Sequence, residues 1–137
     1  MGTGAFLAHG HFGSSDAKFY GVELDSITGR ISKQLYQKAN IQVTGYENAL
    51  LPDNYFDCVI GNVPFGNFQV NDPQYNRLHF KIHDYFIAKS IDKLRTGGII
   101  AFIITSGTLD KKRRGCAQVH QCPMRLYRCR APAGFYL

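Results

Sequence analysis

A proline-stiffened turn follows an apolar stretch of the chain, and its side chains could handle an aromatic amine. The turn contains Asn62, Pro64 and Phe65. The amide oxygen of Asn62 can accept a hydrogen bond from an amino group. Pro64 fixes its own φ and biases Val63 toward extended backbone, so the turn is shaped before a substrate arrives. Phe65 offers a flat face for a base lifted from its stack, and the exocyclic amine of adenine fits this pattern.

Glycines and acids upstream of this turn could bind a second ligand. They are Gly2, Thr3, Gly4 and Phe6 at the start of the chain, Glu23 and Leu24 after an apolar stretch, and Glu47 in a polar turn. Glycine lets backbone approach a ligand closely, and an acid at a strand end can bind sugar hydroxyls, as in dinucleotide-binding folds. Taken singly, the glycines could be a flexible terminus and Glu23 a solvated strand end. Their order along the chain, ahead of the turn with Asn62, is more specific than any one of them.

These elements, in this order, resemble the S-adenosylmethionine-dependent adenine-specific (N6) DNA methyltransferases, with Asn-Val-Pro-Phe as a variant of their Asn-Pro-Pro-Tyr/Phe motif. The resemblance covers residues 1–110 and implies S-adenosylmethionine as the cofactor. It assigns the cofactor to Gly2, Thr3, Gly4, Phe6, Glu23, Leu24 and Glu47, with Glu23 on the ribose hydroxyls and Glu47 on the adenine amine. It assigns catalysis to Asn62, Pro64 and Phe65, acting on an adenine flipped from duplex DNA.

The apolar pattern predicts an α/β domain. Strands are expected at 18–24, 41–45, 56–60 and 99–104, and helices at 27–38 and 78–94. Gly97 and Gly98 are expected to stop the second helix, and the unbroken apolar run after them suggests a strand covered on both faces. Residues 67–77 are polar, and the resemblance implies that they form a loop at the mouth of the target site. This loop would order on nucleic acid, or it is a plain surface loop.

The resemblance further implies a Rossmann-like class I methyltransferase sheet that is incomplete at the N-terminus, because a central first strand would precede Gly2. Its two neighbouring strands would then pair with each other, a partner subunit or second copy would complete the sheet, or the sequence is a fragment of a longer gene. Each outcome would spare the neighbouring strands from burying unpaired backbone groups, which is costly.

The last residues, 111–137, differ in composition from the rest. They contain seven Lys or Arg and no acid, whereas residues 1–110 contain nine Lys or Arg against ten acids. Three of the four cysteines are also here, and with His120 they fit no common zinc spacing, so no metal site is predicted. We predict a partial catalytic domain at 1–110 and a basic, loose tail at 111–137. The composition of the tail indicates an out-of-frame ending.

The sequence also indicates the compartment in which the protein works. The sequence shows no signal peptide, membrane-length apolar run or disulfide framework, so the cytoplasm is the expected compartment. Two alternatives to DNA methylation stay open at this point. One is a non-catalytic remnant or nucleic-acid interaction module, and the other is methylation of a protein glutamine or an RNA base.

Overall fold

A computed structural model describes residues 2, 4, 7 and 16–104, and it has an α/β architecture. Its strands are β1 (Tyr20–Glu23), β2 (Asn40–Val43), β3 (Phe56–Asn62) and β4 (Leu94–Ile103), and its helices are α1 (Ser26–Leu35) and α2 (Ile82–Lys93). Two short 3-10 turns lie at Tyr46–Asn48 and Asn76–Leu78. The predictions for Thr3, Phe6 and residues 111–137 lie outside the described residues. The alternation of strand and helix follows the sequence prediction.

The four strands form two separate parallel sheets. Strand β1 pairs with β2, so that Glu23 lies opposite Val43, and β3 pairs with β4, so that Asn62 lies opposite Ile103. One of the three alternatives was that β1 and β3 pair with each other. In the described part of the chain they do not. The two sheets instead meet through aromatic rings, because Tyr20 of β1 contacts Tyr55 and Phe56 edge-on at centroid distances of 5.9 and 5.1 Å.

Helix α1 packs on the β1–β2 sheet through small residues. Asp25 caps its N-terminus by accepting a hydrogen bond from the Thr28 N–H at 2.7 Å. Gly29 and Ser32 are its buried residues. A Cβ on Gly29 would come within 2.7 Å of a Val43 methyl group, so glycine permits this close approach of helix to strand. The helix predicted at 27–38 is confirmed, but its apolar residues Ile27, Ile31 and Leu35 are exposed.

Helix α2 and strand β4 follow one another without a loop, which contradicts the prediction that Gly97 and Gly98 end the helix. The helix ends at Lys93, and Leu94 already has extended backbone and pairs with Phe56. Burial and pairing of Leu94 therefore start the strand before the glycines are reached. Gly97, with φ of +82°, then lies in an irregular stretch of β4, where three extra residues interrupt the pairing with β3.

The core lies between α2 and the segments that precede it. Tyr75, Tyr85 and Ala88 are its buried centre, and the residues packed around them are Tyr46, Val70, Phe80 and Phe86. The prediction that the last strand is covered on both faces is wrong for the described residues, because the side chains of Ile99 and Ile103 are 65% and 44% exposed. The β3–β4 sheet thus has one apolar face in contact with solvent.

Candidate functional site

The turn that carries Asn62, Pro64 and Phe65 is fixed by the residue between them. Asn62 is the last residue of β3, and the Val63 N–H donates to the Ile103 carbonyl at 3.1 Å. Val63 is only 1% exposed, so its side chain anchors the turn in the interior. Asn62, Pro64 and Phe65 are exposed on either side of this anchor. The structure therefore places the three predicted catalytic residues together at the carboxyl end of β3.

A second exposed aromatic ring lies in the same turn, and sequence reasoning missed it. Phe68 is 53% exposed and Phe65 is 62% exposed. Gly66 lies against the Phe68 ring so closely that a Cβ there would come within 2.5 Å of a ring carbon. The Phe68 carbonyl also accepts a hydrogen bond from the Ile82 N–H at 3.0 Å, which ties the turn to the start of α2. A phenylalanine three residues after Phe65 is the signal that could have indicated it.

Glu23 and Gly2, both predicted cofactor residues, are in direct contact. The Glu23 carboxylate accepts hydrogen bonds from the N–H of Gly2 at 2.6 Å and from the N–H of Asp25 at 3.0 Å. Partial burial raises the pKa of Glu23, but hydrogen bonds to its carboxylate, among them those from Asp25 and Gly2, together with nearby positive charge leave the pKa below its ordinary value. Glu23 is therefore an oriented, ionised carboxylate at the carboxyl end of β1. Leu24 beside it is 76% exposed.

The two described glycines of the opening stretch contact the β1–α1 region. The Ser32 hydroxyl lies 2.9 Å from the Gly2 carbonyl, to which it can donate. Gly4 is buried with φ of +93°, and a Cβ on it would lie 2.3 Å from a Tyr36 ring carbon. Only glycine fits at this position. Gly4 therefore packs on the ring that ends α1, whereas Gly2 presents its backbone to Glu23.

Glu47 lies in the 3-10 turn that follows β2, at the same end of the sheet as Glu23. The Thr44 N–H donates to the Glu23 carbonyl at 2.9 Å, so β1 and β2 end side by side. The Glu47 carboxylate folds back over Gly45, where a Cβ would lie 2.0 Å from its Oε1. Its Oε1 also accepts from the Asn48 amide at 3.2 Å. The carboxyl ends of neighbouring parallel strands, which carry these two acids, are the usual ligand-binding edge of such sheets.

A buried ion pair connects the predicted target loop to the core. Asp72, 4% exposed, accepts hydrogen bonds from Lys89 Nζ at 2.8 Å, from the Tyr85 hydroxyl at 2.7 Å and from the Gln74 N–H at 3.0 Å. Burial raises the pKa of Asp72. The hydrogen bonds that its carboxylate accepts, with those from Lys89 and Tyr85 foremost, lower the pKa by more, so the net shift is downward. Residues 67–71 are largely exposed, but the loop is anchored at Asp72. The sequence predicted a loop at the mouth of the target site that orders on nucleic acid, or a plain surface loop, and gave no sign of this anchor.

A known protein family matches most of the chain. The sequence model of the family described as Eco57I restriction-modification methylase matches residues 11–121. The chain belongs to this methylase family. The matched region contains every strand and helix described above, together with Glu23, Glu47 and Asn62. The α/β architecture of this methylase-family chain, with its small parallel sheets, is compatible with a methyltransferase-like fold.

One curated relative extends the comparison. The methylase-family chain is 32% identical over 102 residues to "Defense against restriction protein B" of Escherichia phage P1, an alignment that covers 68% of this chain and 4% of the phage protein. The chain thus spans a small fraction of the curated relative that it matches. No solved structure matches it.

Within the described residues of the methylase-family chain, no group of three or more His, Cys, Asp or Glu side chains is arranged to hold a metal ion. No helix among those residues is both long and apolar enough to cross a lipid bilayer.

Proposed function

We propose that this chain is part of an enzyme that transfers a methyl group from S-adenosylmethionine to the N6 amine of adenine in DNA. The observation that carries the proposal is the turn at the carboxyl end of β3, where buried Val63 fixes Asn62, Pro64 and Phe65 at the surface. Membership in a restriction-modification methylase family supports DNA as the substrate. We further propose that residues 1–110 are the catalytic part and that the enzyme works in the cytoplasm.

The residues proposed to hold the cofactor fit its chemistry. The ionised carboxylate of Glu23 is oriented by two backbone N–H groups, and a carboxylate so held can accept from both ribose hydroxyls. The exposed side chain of Leu24 beside it offers an apolar contact for adenine, and the Glu47 carboxylate can accept from the adenine amine. S-adenosylmethionine supplies an activated methyl group when bound. Gly2, Gly4, Thr3 and Phe6 complete the proposed cofactor side.

The target side is proposed to act by positioning. The amide oxygen of Asn62 and the carbonyl of Pro64 accept hydrogen bonds from the two N6 protons, which localises the lone pair on the target nitrogen. That nitrogen would form its bond to the methyl carbon that S-adenosylmethionine supplies, and the carbon–sulfur bond would break with sulfur keeping the electron pair. One N6 proton then leaves to solvent. Phe65 stacks on the flipped base, and orientation of the reactants supplies most of the rate enhancement.

The divided sheet bears on how the enzyme is assembled. Strand β1 and strand β3 each have one hydrogen-bonded neighbour among the described residues. We propose that a further strand, from a partner subunit or from a longer chain, lies between them and completes a Rossmann-like sheet. This arrangement would satisfy the backbone groups along both strands.

The proposal is tested by transfer of a labelled methyl group from S-adenosylmethionine to duplex DNA, followed by digestion to nucleosides. We expect label in N6-methyladenine. Asn62→Ala is expected to reduce transfer by about 100-fold or more with unchanged cofactor affinity, because removal of one preorganised hydrogen-bonding group typically costs that much. The matched control is Asn40→Ala, an exposed asparagine at the amino end of β2 that the proposal places on neither ligand side, and it should transfer normally. Label recovered in RNA or in protein glutamine would mean that this molecule, and not DNA, is the substrate. Failure of the chain to bind S-adenosylmethionine would indicate a non-catalytic interaction module.

A further inference from the structure

The ammonium group of Lys89 lies between two segments that the proposed function assigns to different ligands. It donates to Asp72 Oδ2 at 2.8 Å and to the backbone carbonyl of Glu47 at 3.1 Å. Asp72 closes the loop that begins after Asn62 and Phe65, and Glu47 belongs to the proposed cofactor side. One buried cation therefore links the target-side loop to the cofactor-side turn.

The surroundings of Lys89 leave its ammonium little freedom. The side chain is 5% exposed, and the nitrogen lies over the rings of Tyr46 and Tyr85 at 5.3 and 5.7 Å from their centroids. Asp72 is also held firmly, because the Tyr85 hydroxyl donates to the same oxygen, Oδ2, and the Gln74 N–H donates to the other, Oδ1. Asp72 and the carbonyl of Glu47 are therefore hydrogen-bonded to the same restrained ammonium group.

Stability alone does not account for this arrangement. A buried ion pair is often no more stabilising than well-packed apolar residues of similar volume, since both charges must be stripped of water. The neighbouring side chains are aromatic and would accommodate an apolar residue at position 89. What the ion pair adds is a fixed geometry between two segments that are far apart in sequence.

We propose that Lys89 is a positioning residue that couples the cofactor side, at Glu47, to the target side, at the loop from Asn62 to Asp72. The inference rests on the proposed function, because it names the residue that connects the proposed cofactor site to the proposed target site. Binding of cofactor then fixes the Glu47 turn, and through Lys89 and Asp72 it fixes the loop that receives the flipped base. By linkage, DNA tightens cofactor binding by the same factor.

Lys93 provides a matched control one helical turn further along α2. It is also a buried lysine in an ion pair, but its partner is Asp53, and its backbone carbonyl accepts from the Tyr55 N–H. None of these contacts involves Glu47 or Asp72. Lys93→Met and Lys89→Met therefore both remove a buried charge from α2, and only Lys89→Met removes the link.

The first measurement is the affinity of the full chain for S-adenosylhomocysteine, with and without a short adenine-containing DNA duplex. We expect DNA to tighten binding about fivefold or more in the unchanged protein and in Lys93→Met, and less than about twofold in Lys89→Met, because couplings between sites commonly fall between about 5- and 150-fold. Equal coupling in both variants would overturn the inference. Absence of binding by the unchanged protein would overturn the proposed function as well.

The second measurement does not depend on ligand binding and separates the two failures. Amide hydrogen exchange of the ligand-free chain is followed in Asp72→Asn, at the N–H groups of Asn48 and Ala49 in the Glu47 turn. If Lys89 transmits position, these amides exchange at least about fivefold faster although the substitution lies in another segment, since exchange reports local opening. Unchanged exchange there, with faster exchange confined to residues 72–78, would overturn the coupling even if the chain binds its ligands.

Discussion

The carboxylate of Glu23 accepts a hydrogen bond from the backbone N–H of Gly2 at 2.6 Å, although twenty-one positions separate the two residues. Together with the Asp25 N–H, this bond orients the carboxylate before any ligand arrives. Preorganised groups of this kind lose less freedom on binding than side chains that must be ordered at that moment. The finding makes Glu23 the first residue to test on the cofactor side.

Replacement of Glu23 by alanine is expected to weaken S-adenosylmethionine binding by about tenfold to 100-fold, because a hydrogen bond to a charged group contributes about 1.5–3 kcal/mol. Isothermal titration calorimetry measures the change. Asp25→Asn is the control, since Asp25 is an exposed acid two residues away and asparagine also caps helices well. An equal loss in both variants would show that general acidity of this loop, and not Glu23, holds the ligand.

Replacement of Phe65 by alanine is expected to weaken DNA binding and base flipping, because stacking of a base on an aromatic ring contributes about 1–3 kcal/mol. Fluorescence of 2-aminopurine placed at the target position reports the flipped state. Phe65→Leu keeps an apolar side chain of similar size but no flat face, so it should behave like Phe65→Ala. Normal flipping in Phe65→Leu would mean that apolar volume is sufficient and that the ring does not stack.

The buried carboxylate of Asp72 is expected to make stability fall in acid. Burial raises the pKa of Asp72, but hydrogen bonds from Lys89 and Tyr85 bring it below its ordinary value of 3.8. The unfolded chain therefore binds the proton more tightly than the folded chain. The stabilisation is complete above the ordinary pKa and is lost as pH falls through the lower folded value. Urea unfolding at a series of pH values should show this loss below about pH 4.

Asp72→Asn is expected to flatten that acid dependence and to lower the free energy of unfolding at neutral pH by about 3 kcal/mol, because a buried partner is left uncompensated. Asp57→Asn is the matched control. Asp57 pairs with Arg95 at 2.5 Å, but both side chains are more than half exposed, so the cost there should stay below about 1 kcal/mol. A steep acid dependence retained in Asp72→Asn would contradict the assignment.

Replacement of Gly29 by alanine is expected to destabilise the protein by about 1–3 kcal/mol, because the added methyl group would overlap Val43. The sign is diagnostic, since alanine in place of glycine within an ordinary helix stabilises by about 1 kcal/mol. Thermal or urea unfolding measures it. Gln34→Ala on the exposed side of α1 should change stability little. A more stable Gly29→Ala variant would mean that α1 can move away from β2 at no cost.

The sequence pattern located the strands well because each is a short apolar run between polar turns. It predicted strands at 18–24, 41–45 and 56–60, and the structure has Tyr20–Glu23, Asn40–Val43 and Phe56–Asn62. The pattern does not show which face of α1 packs, although an apolar stripe at helical spacing ordinarily marks the packed face of a helix. In α1 the packed face is instead the side with Gly29 and Ser32, where small size permits close approach.

The candidate site was predictable only where its residues are contiguous. Asn62, Pro64 and Phe65 form a local motif, and the structure keeps them together at the end of β3. The Asp72–Lys89 pair has no such signal, because seventeen positions separate its members and neither residue belongs to a distinctive local pattern. A buried ion pair between distant residues is a property of the folded chain, so it could be found only from the structure.

The irregular stretch of β4 affects how the protein tolerates changes in length. Between the Phe56–Leu94 and Cys58–Ile99 pairs, β4 has three residues more than β3, and Gly97 lies in the surplus with left-handed backbone. Beyond that point the pairing is regular up to Asn62 and Ile103. An insertion or deletion of a residue near Thr96 would be absorbed there, at the amino end of the sheet. The position of Asn62 would not change. A change in chain length at the amino end of the sheet would therefore leave the site at the carboxyl end intact.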